Sequence, residues 1–277
     1  MHLIRPVACL LLLLSFLSAP VEAESQDRTP GSARIDAVLT EIADPGFIDR
    51  MVTQMEAPSA LHLPLTAHLA TIRTNPLFVE YMAEAIATFQ AELSDETGVL
   101  SIDPVHDYAI ETAEMLFHHG LPHLPPADIR DYLTLAVDLL RQAGTDDCVA
   151  LIGESLNAEA AREIELRLLA TLPTRRIDRY FALLTAGVIA SLTPPAVPAL
   201  TAGEMAFAER AITAALQAAI TKHPDATRLG MALMTLENPS TDYHCEITIM
   251  LYEEILRMEG DAGDLAARLV AWGLMMM

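Results

Sequence analysis

Apolar residues recur along this chain at helical rather than strand spacing. Over 104–118 one stripe holds Val105, Tyr108, Ala109, Thr112, Met115 and Leu116, and a second holds Ile110, Ala113 and Phe117. Two apolar stripes on one helix predict an element buried between neighbours rather than one resting on a surface. Alternating Val/Ile/Thr/Tyr runs are nearly missing, and no Asn-Gly or Asp-Gly hairpin turn occurs.

Helix punctuation supports the same reading. Asn75-Pro76 opens a helix over 76–93, with proline at the first helical position. Asp103-Pro104 opens another over 104–118, closed by Gly120. Pro126 starts a third over 126–142, closed by Gly144, and Thr145 starts a short one. Asn157 caps a helix to about 172, and Thr174 starts one to about 192. Thr201 and Glu204 form a capping box before a helix to about 221. Further helices are expected over about 225–236, 241–258 and 262–275. The expected fold is all-α, an irregular multi-helix bundle of about ten helices. A degenerate α-solenoid of helical hairpins is the alternative, but the helix starts are unevenly spaced and no repeat consensus is present.

Domain organisation follows from the ends and from one irregular stretch. His2 and Arg5 precede an apolar run over 7–17, and Val21 and Ala23 stand at −3 and −1 of a cleavage point. Residues 1–23 therefore read as a secretory signal peptide, since the run is well short of the ~20 residues that span a bilayer. Residues 24–31 read as a disordered mature N-terminus, and 32–277 as one all-helical domain with a possible break at the proline-rich 193–200. The expected location is exported, periplasmic or secreted, with no membrane span in the mature chain. Removing 1–23 leaves Cys148 and Cys245, and an even pair in an exported protein is most simply one disulfide.

Charge narrows the partner classes. The chain has 38 acids against 17 bases, a net charge of −21. Nucleic acid is excluded as an autonomous partner, because a polyanion needs a basic footprint. The acids are unevenly placed: 74–129 holds ten of them and no Lys or Arg. Asp103, Asp107, Glu111 and Glu114, with His118 beyond, are spaced to share one narrow helical stripe.

Three readings of that stripe stand side by side: a solvated face, a docking surface for a basic protein partner, and a metal site. The metal reading would add His118, His119 and His123, but adjacent histidines point in different directions on a helix. A divalent metal is the one cofactor it leaves open. Arg162, Arg167, Arg175, Arg176 and Arg179 form a basic cluster that could pair with the acidic helices or contact an anion. His62 and His68, around Pro64, read as core or surface histidines. No P-loop, dinucleotide glycine motif or Gly-x-Ser-x-Gly elbow occurs, so no catalytic residue is assigned. The functional expectation is an exported, non-catalytic acidic helical protein that binds a basic protein partner, as an inhibitor or immunity-type protein would. A metal-dependent hydrolase and a helical scaffold are the alternatives.

Overall fold

Capping decides where the helices of this chain begin. In the computed structural model the Asn75 side chain accepts hydrogen bonds from the backbone N–H of Leu77 (3.0 Å) and Phe78 (3.3 Å). These satisfy two amide groups that no helical carbonyl reaches. Thr201 and Glu204 close the expected capping box: the Thr201 hydroxyl accepts from the Glu204 N–H at 3.2 Å, and the Glu204 carboxylate accepts from the Thr201 N–H at 2.7 Å. At Thr241 a histidine takes the glutamate's place. His244 Nδ1 accepts the Thr241 N–H at 3.2 Å, which leaves the proton on Nε2, 2.9 Å from the Thr235 hydroxyl.

The structure describes residues 40, 46–88, 102–152, 158–195, 197–235 and 239–275. The expected signal peptide and disordered N-terminus lie outside them. Among the described residues there are twelve α-helices and no strand. They are α1 (Gly46–Gln54), α2 (Ser59–Arg73), α3 (Pro76–Thr88), α4 (Ile102–Gly120), α5 (Pro126–Gln142), α6 (Thr145–Ile152), α7 (Ala158–Leu169), α8 (Thr174–Leu192), α9 (Ala202–Lys222), α10 (Ala226–Met234), α11 (Asp242–Arg257) and α12 (Gly260–Met275). A single 3₁₀ turn, Leu121–His123, follows α4. None of these helices is long and apolar enough to cross a membrane.

The all-α expectation holds, and α5 and α8 begin and end where the sequence placed them. The helix count exceeds the expectation because α1 and α2 went unread. Pro64 sits inside α2, and a proline normally ends a helix. Here it falls near the start, so it removes one backbone hydrogen bond while Leu61, Leu65, His68 and Ile72 still form a buried stripe. Burial of that stripe outweighs the lost bond.

Long-range pairing sets the architecture. α8 is central to the N-terminal helices, packing on α4, α2 and α3. α5 packs on α11 and α12, and α9 packs on α12 and α11. One hydrophobic core draws on α1 and α2 at one end of the chain and on Ile255, Ala266, Ala267 and Ala271 at the other. In a solenoid each repeat touches only its neighbours, so these contacts exclude that alternative.

The α4/α8 crossing brings two backbones together at Gly120 and Gly187. A Cβ on Gly120 would lie 1.8 Å from the Gly187 carbonyl oxygen, and one on Gly187 would lie 2.5 Å from the Phe117 ring. Only glycine permits so close an approach. Arginines fix the far end. Arg130 donates to the carbonyls of Leu256 (2.6 Å) and Met258 (3.1 Å), a cation on the C-terminus of α11. Buried Arg268 of α12 donates to the Pro198 carbonyl and so holds the proline-rich stretch, whose Leu200 is also buried.

Candidate functional site

The acidic stripe begins on α4. Asp103 and Asp107 belong to its first turns, and their side chains lie outside the described residues. Glu111 is exposed. Glu114 is engaged by Arg162 of α7 through both oxygens, at 2.7 and 3.1 Å. This bidentate pair offsets the last carboxylate of the stripe. Glu80 and Glu84 of α3 are exposed.

Four of the five clustered arginines find carboxylates on other helices. Beside the Arg162 pair, Arg167 reaches Asp147 at 2.9 Å and Arg176 pairs with Asp138. Arg179 bridges Asp128 (2.5 Å) and Asp131 (2.7 Å), and the Asp128 hydrogen bond is the first cause that raises its pKa. Of the two options for this cluster, internal pairing is the one observed.

The histidines separate. His118 is half-buried against the edge of Phe117, at 5.4 Å between ring centroids. Burial lowers its pKa, with Glu114 opposing the shift. His119 is exposed, and His123 is half-buried at the end of the 3₁₀ turn. Among the described residues no three His, Cys, Asp or Glu side chains gather at metal-ligand spacing. His68 is a core histidine. Its Nδ1 lies 2.7 Å from the Thr185 hydroxyl and its ring rests on Phe181 at 5.5 Å, and burial lowers its pKa to about 4.

The inner faces of the same helices border a partly open cavity. Helices α1 to α8, α11 and α12 line a cavity of about 910 Å³. Most of its wall is apolar, from residues such as Ile48, Leu65, Met82, Leu133, Leu139 and Leu184. That volume lies within the range of pockets that hold drug-sized molecules, roughly 300–1,000 Å³.

Polar groups gather on one part of the wall. The Tyr180 hydroxyl donates to Glu165 Oε1 at 2.6 Å. Tyr132, Tyr252 and the Glu114–Arg162 pair line the same cavity. Burial is the first cause that raises the Glu165 pKa, and the Tyr180 hydrogen bond opposes it. Burial also raises all three tyrosines, with Glu165 adding to the rise at Tyr132 and Tyr180. His118 borders the cavity too, and its Nδ1 has no hydrogen-bond partner among the described residues.

Sequence reasoning missed this set. Tyr132, Glu165, Tyr180 and Tyr252 come from four helices, and no local spacing connects them. The available signal was the paired apolar stripes, which require each helix to be covered on two sides. Whether the covered space is filled or hollow is not a property of one helix. No protein-family model, no curated protein and no solved structure matches this chain, so its function rests on the site alone.

Proposed function

We propose that this chain is an exported, non-catalytic binding protein that carries an apolar small molecule inside its helical bundle. The observation that supports the reading is the apolar cavity of about 910 Å³, bordered by a small group of converging polar side chains. Such a combination takes up an apolar body by the hydrophobic effect and orients it through a few hydrogen bonds. Export rests on residues 1–23 of the sequence, with their short polar start, apolar run and small residues before the cleavage point.

The test is binding of N-phenyl-1-naphthylamine, a neutral apolar fluorophore that brightens out of water. Saturable brightening at one molecule per chain is expected. Ala136→Trp, which places an indole in the cavity wall, should weaken it in protein whose helical circular dichroism is unchanged. Folded wild-type protein that leaves the fluorophore dark would overturn the reading.

A second reading keeps the outer surface in view. Glu80, Glu84 and Glu111 are exposed on α3 and α4, while four of the five clustered arginines are spent on internal pairs. The exposed negative charge of these glutamates supports steering of a basic protein partner to this side of the molecule.

A further inference from the structure

The charges that act on Glu165 are those of Glu114 and Arg162, while a second guanidinium, Arg73 of α2, also lines the cavity. Glu114 and Glu165 supply two carboxyl groups and Arg162 one guanidinium, and both Glu114 oxygens already engage that guanidinium. Glu165 has a phenol as its hydrogen-bond donor, the Tyr180 hydroxyl at 2.6 Å. Tyr132 and Tyr180 lie near enough to interact with it electrostatically, and Tyr252 lines the same cavity. A carboxylate in an apolar enclosure is costly unless a cation or several donors meet it.

These groups discriminate between head groups. A fatty-acid carboxylate would enter beside two carboxyl groups of its own sign. An alcohol could exchange hydrogen bonds but adds no charge to that of Arg162, which Glu165 shares with Glu114. A protonated amine supplies the countercharge, donates hydrogen bonds to Glu165, and finds aromatic faces that attract cations. The net charge of −21 also concentrates cations, rather than anions, near the molecule.

We propose that the ligand of this cavity is an amphiphilic amine, its ammonium group held by Glu165 among Tyr132 and Tyr180 and its hydrocarbon chain lying against the apolar wall. The assignment rests on the cavity-binding reading and specifies its ligand class. Glu165 is the residue that selects the head group, and Tyr180 positions its carboxyl.

Displacement of bound N-phenyl-1-naphthylamine by three compounds of equal chain length tests it: dodecylamine, 1-dodecanol and dodecanoate, each below its micellar concentration at pH 7. Dodecylamine should displace at about tenfold lower concentration than dodecanol, the scale of one charge-assisted hydrogen bond. Dodecanoate should be the weakest. Glu165→Gln should bring dodecylamine to the level of dodecanol while leaving dodecanol unchanged within about twofold, a ratio read against the same scale.

Equal displacement by all three, a lead for dodecanoate or dodecanol, or a full amine preference in Glu165→Gln would overturn the head-group assignment alone. A wild-type protein that binds no fluorophore, as when the cavity is filled by the chain's own residues, would overturn the cavity reading with it. Should Glu165→Gln lose its helical signal, the wild-type ranking decides: any order without the amine first rejects the proposal.

Discussion

At the scale of single residues, two perturbed groups of the interior pull stability in opposite directions with pH. His68 is buried neutral, with its pKa lowered to about 4. Between that value and the unfolded pKa of about 6.5, the unfolded chain takes up a proton that the folded chain refuses. Its contribution is therefore complete above pH 6.5 and is lost as pH falls toward 4. Glu165 behaves in the reverse sense. Its raised pKa makes the unfolded chain release a proton more readily, so stability is present below the unfolded value and is lost as pH rises through the folded one. Glu165→Gln should accordingly stabilise the ligand-free protein, and by more at pH 7 than at pH 4. Urea unfolding of the two proteins at both pH values measures this. A variant less stable than wild type at pH 7 would show that the carboxylate is already well compensated. From the sequence His68 read only as a core or surface histidine, and Glu165 drew no reading of its own. His68 lies on a plain i, i+4, i+7 stripe, and Glu165 sits among Glu163, Arg162 and Arg167 as one more charge on a polar helix.

At the scale of elements, what the sequence conveyed was local chemistry. The caps at Asn75, Thr201 and Thr241 and the proline before α5 operate within a few residues of themselves, so the helix starts they mark are where the structure has them. Helix α2 went unread because its start at Ser59 carries no side-chain cap and a proline, Pro64, lies inside it. The crossing of α4 and α8 was not legible, since Gly120 read only as the residue that closes a helix. Its second role lies 67 residues away, against the Gly187 carbonyl. Gly120→Ala would drive a methyl group into that backbone oxygen, with no flexible side chain able to yield. We expect a loss of about 3 kcal/mol or more, at the upper end of overpacking costs. Gly144→Ala, where a Cβ would meet nothing within 4 Å, is the control. It should change stability by no more than about 0.5 kcal/mol, as surface substitutions do. Thermal or urea melts of the pair compare them directly, and equal losses would mean that the helix crossing relaxes without cost.

At the scale of the whole molecule, one covalent element and one charge imbalance outlast local description. Paired apolar stripes foretold a many-helix bundle, because helices apolar on two sides must be sandwiched. They could not foretell a hollow one, because a cavity belongs to ten helices at once and leaves no period in any of them. The cysteine pair was legible for a simpler reason: two cysteines remain after the expected cleavage, and both fall in the first turn of a helix behind threonine and aspartate. Cys148 of α6 and Cys245 of α11 stand at disulfide distance, with 6.0 Å between their Cα atoms and 97 residues of chain between them. The Thr145 hydroxyl donates to Asp242 beside them, so the two helix starts are already in register when the sulfurs meet. Closing a loop of that length restricts the unfolded chain by about 4–5 kcal/mol in the chain-entropy model. Reduction should therefore lower the urea midpoint by a large fraction of the total stability while the native cavity persists in the absence of urea. The bond does not line that cavity, and its apolar surroundings form a separate small cluster with Leu140. Denatured, unreduced protein should show no titratable thiol in the mature chain, and fluorophore binding should survive reduction at 25 °C. Two free thiols before reduction would remove the covalent tie between α6 and α11. Loss of binding on reduction would make that tie, rather than helix packing, the element that keeps the bundle hollow.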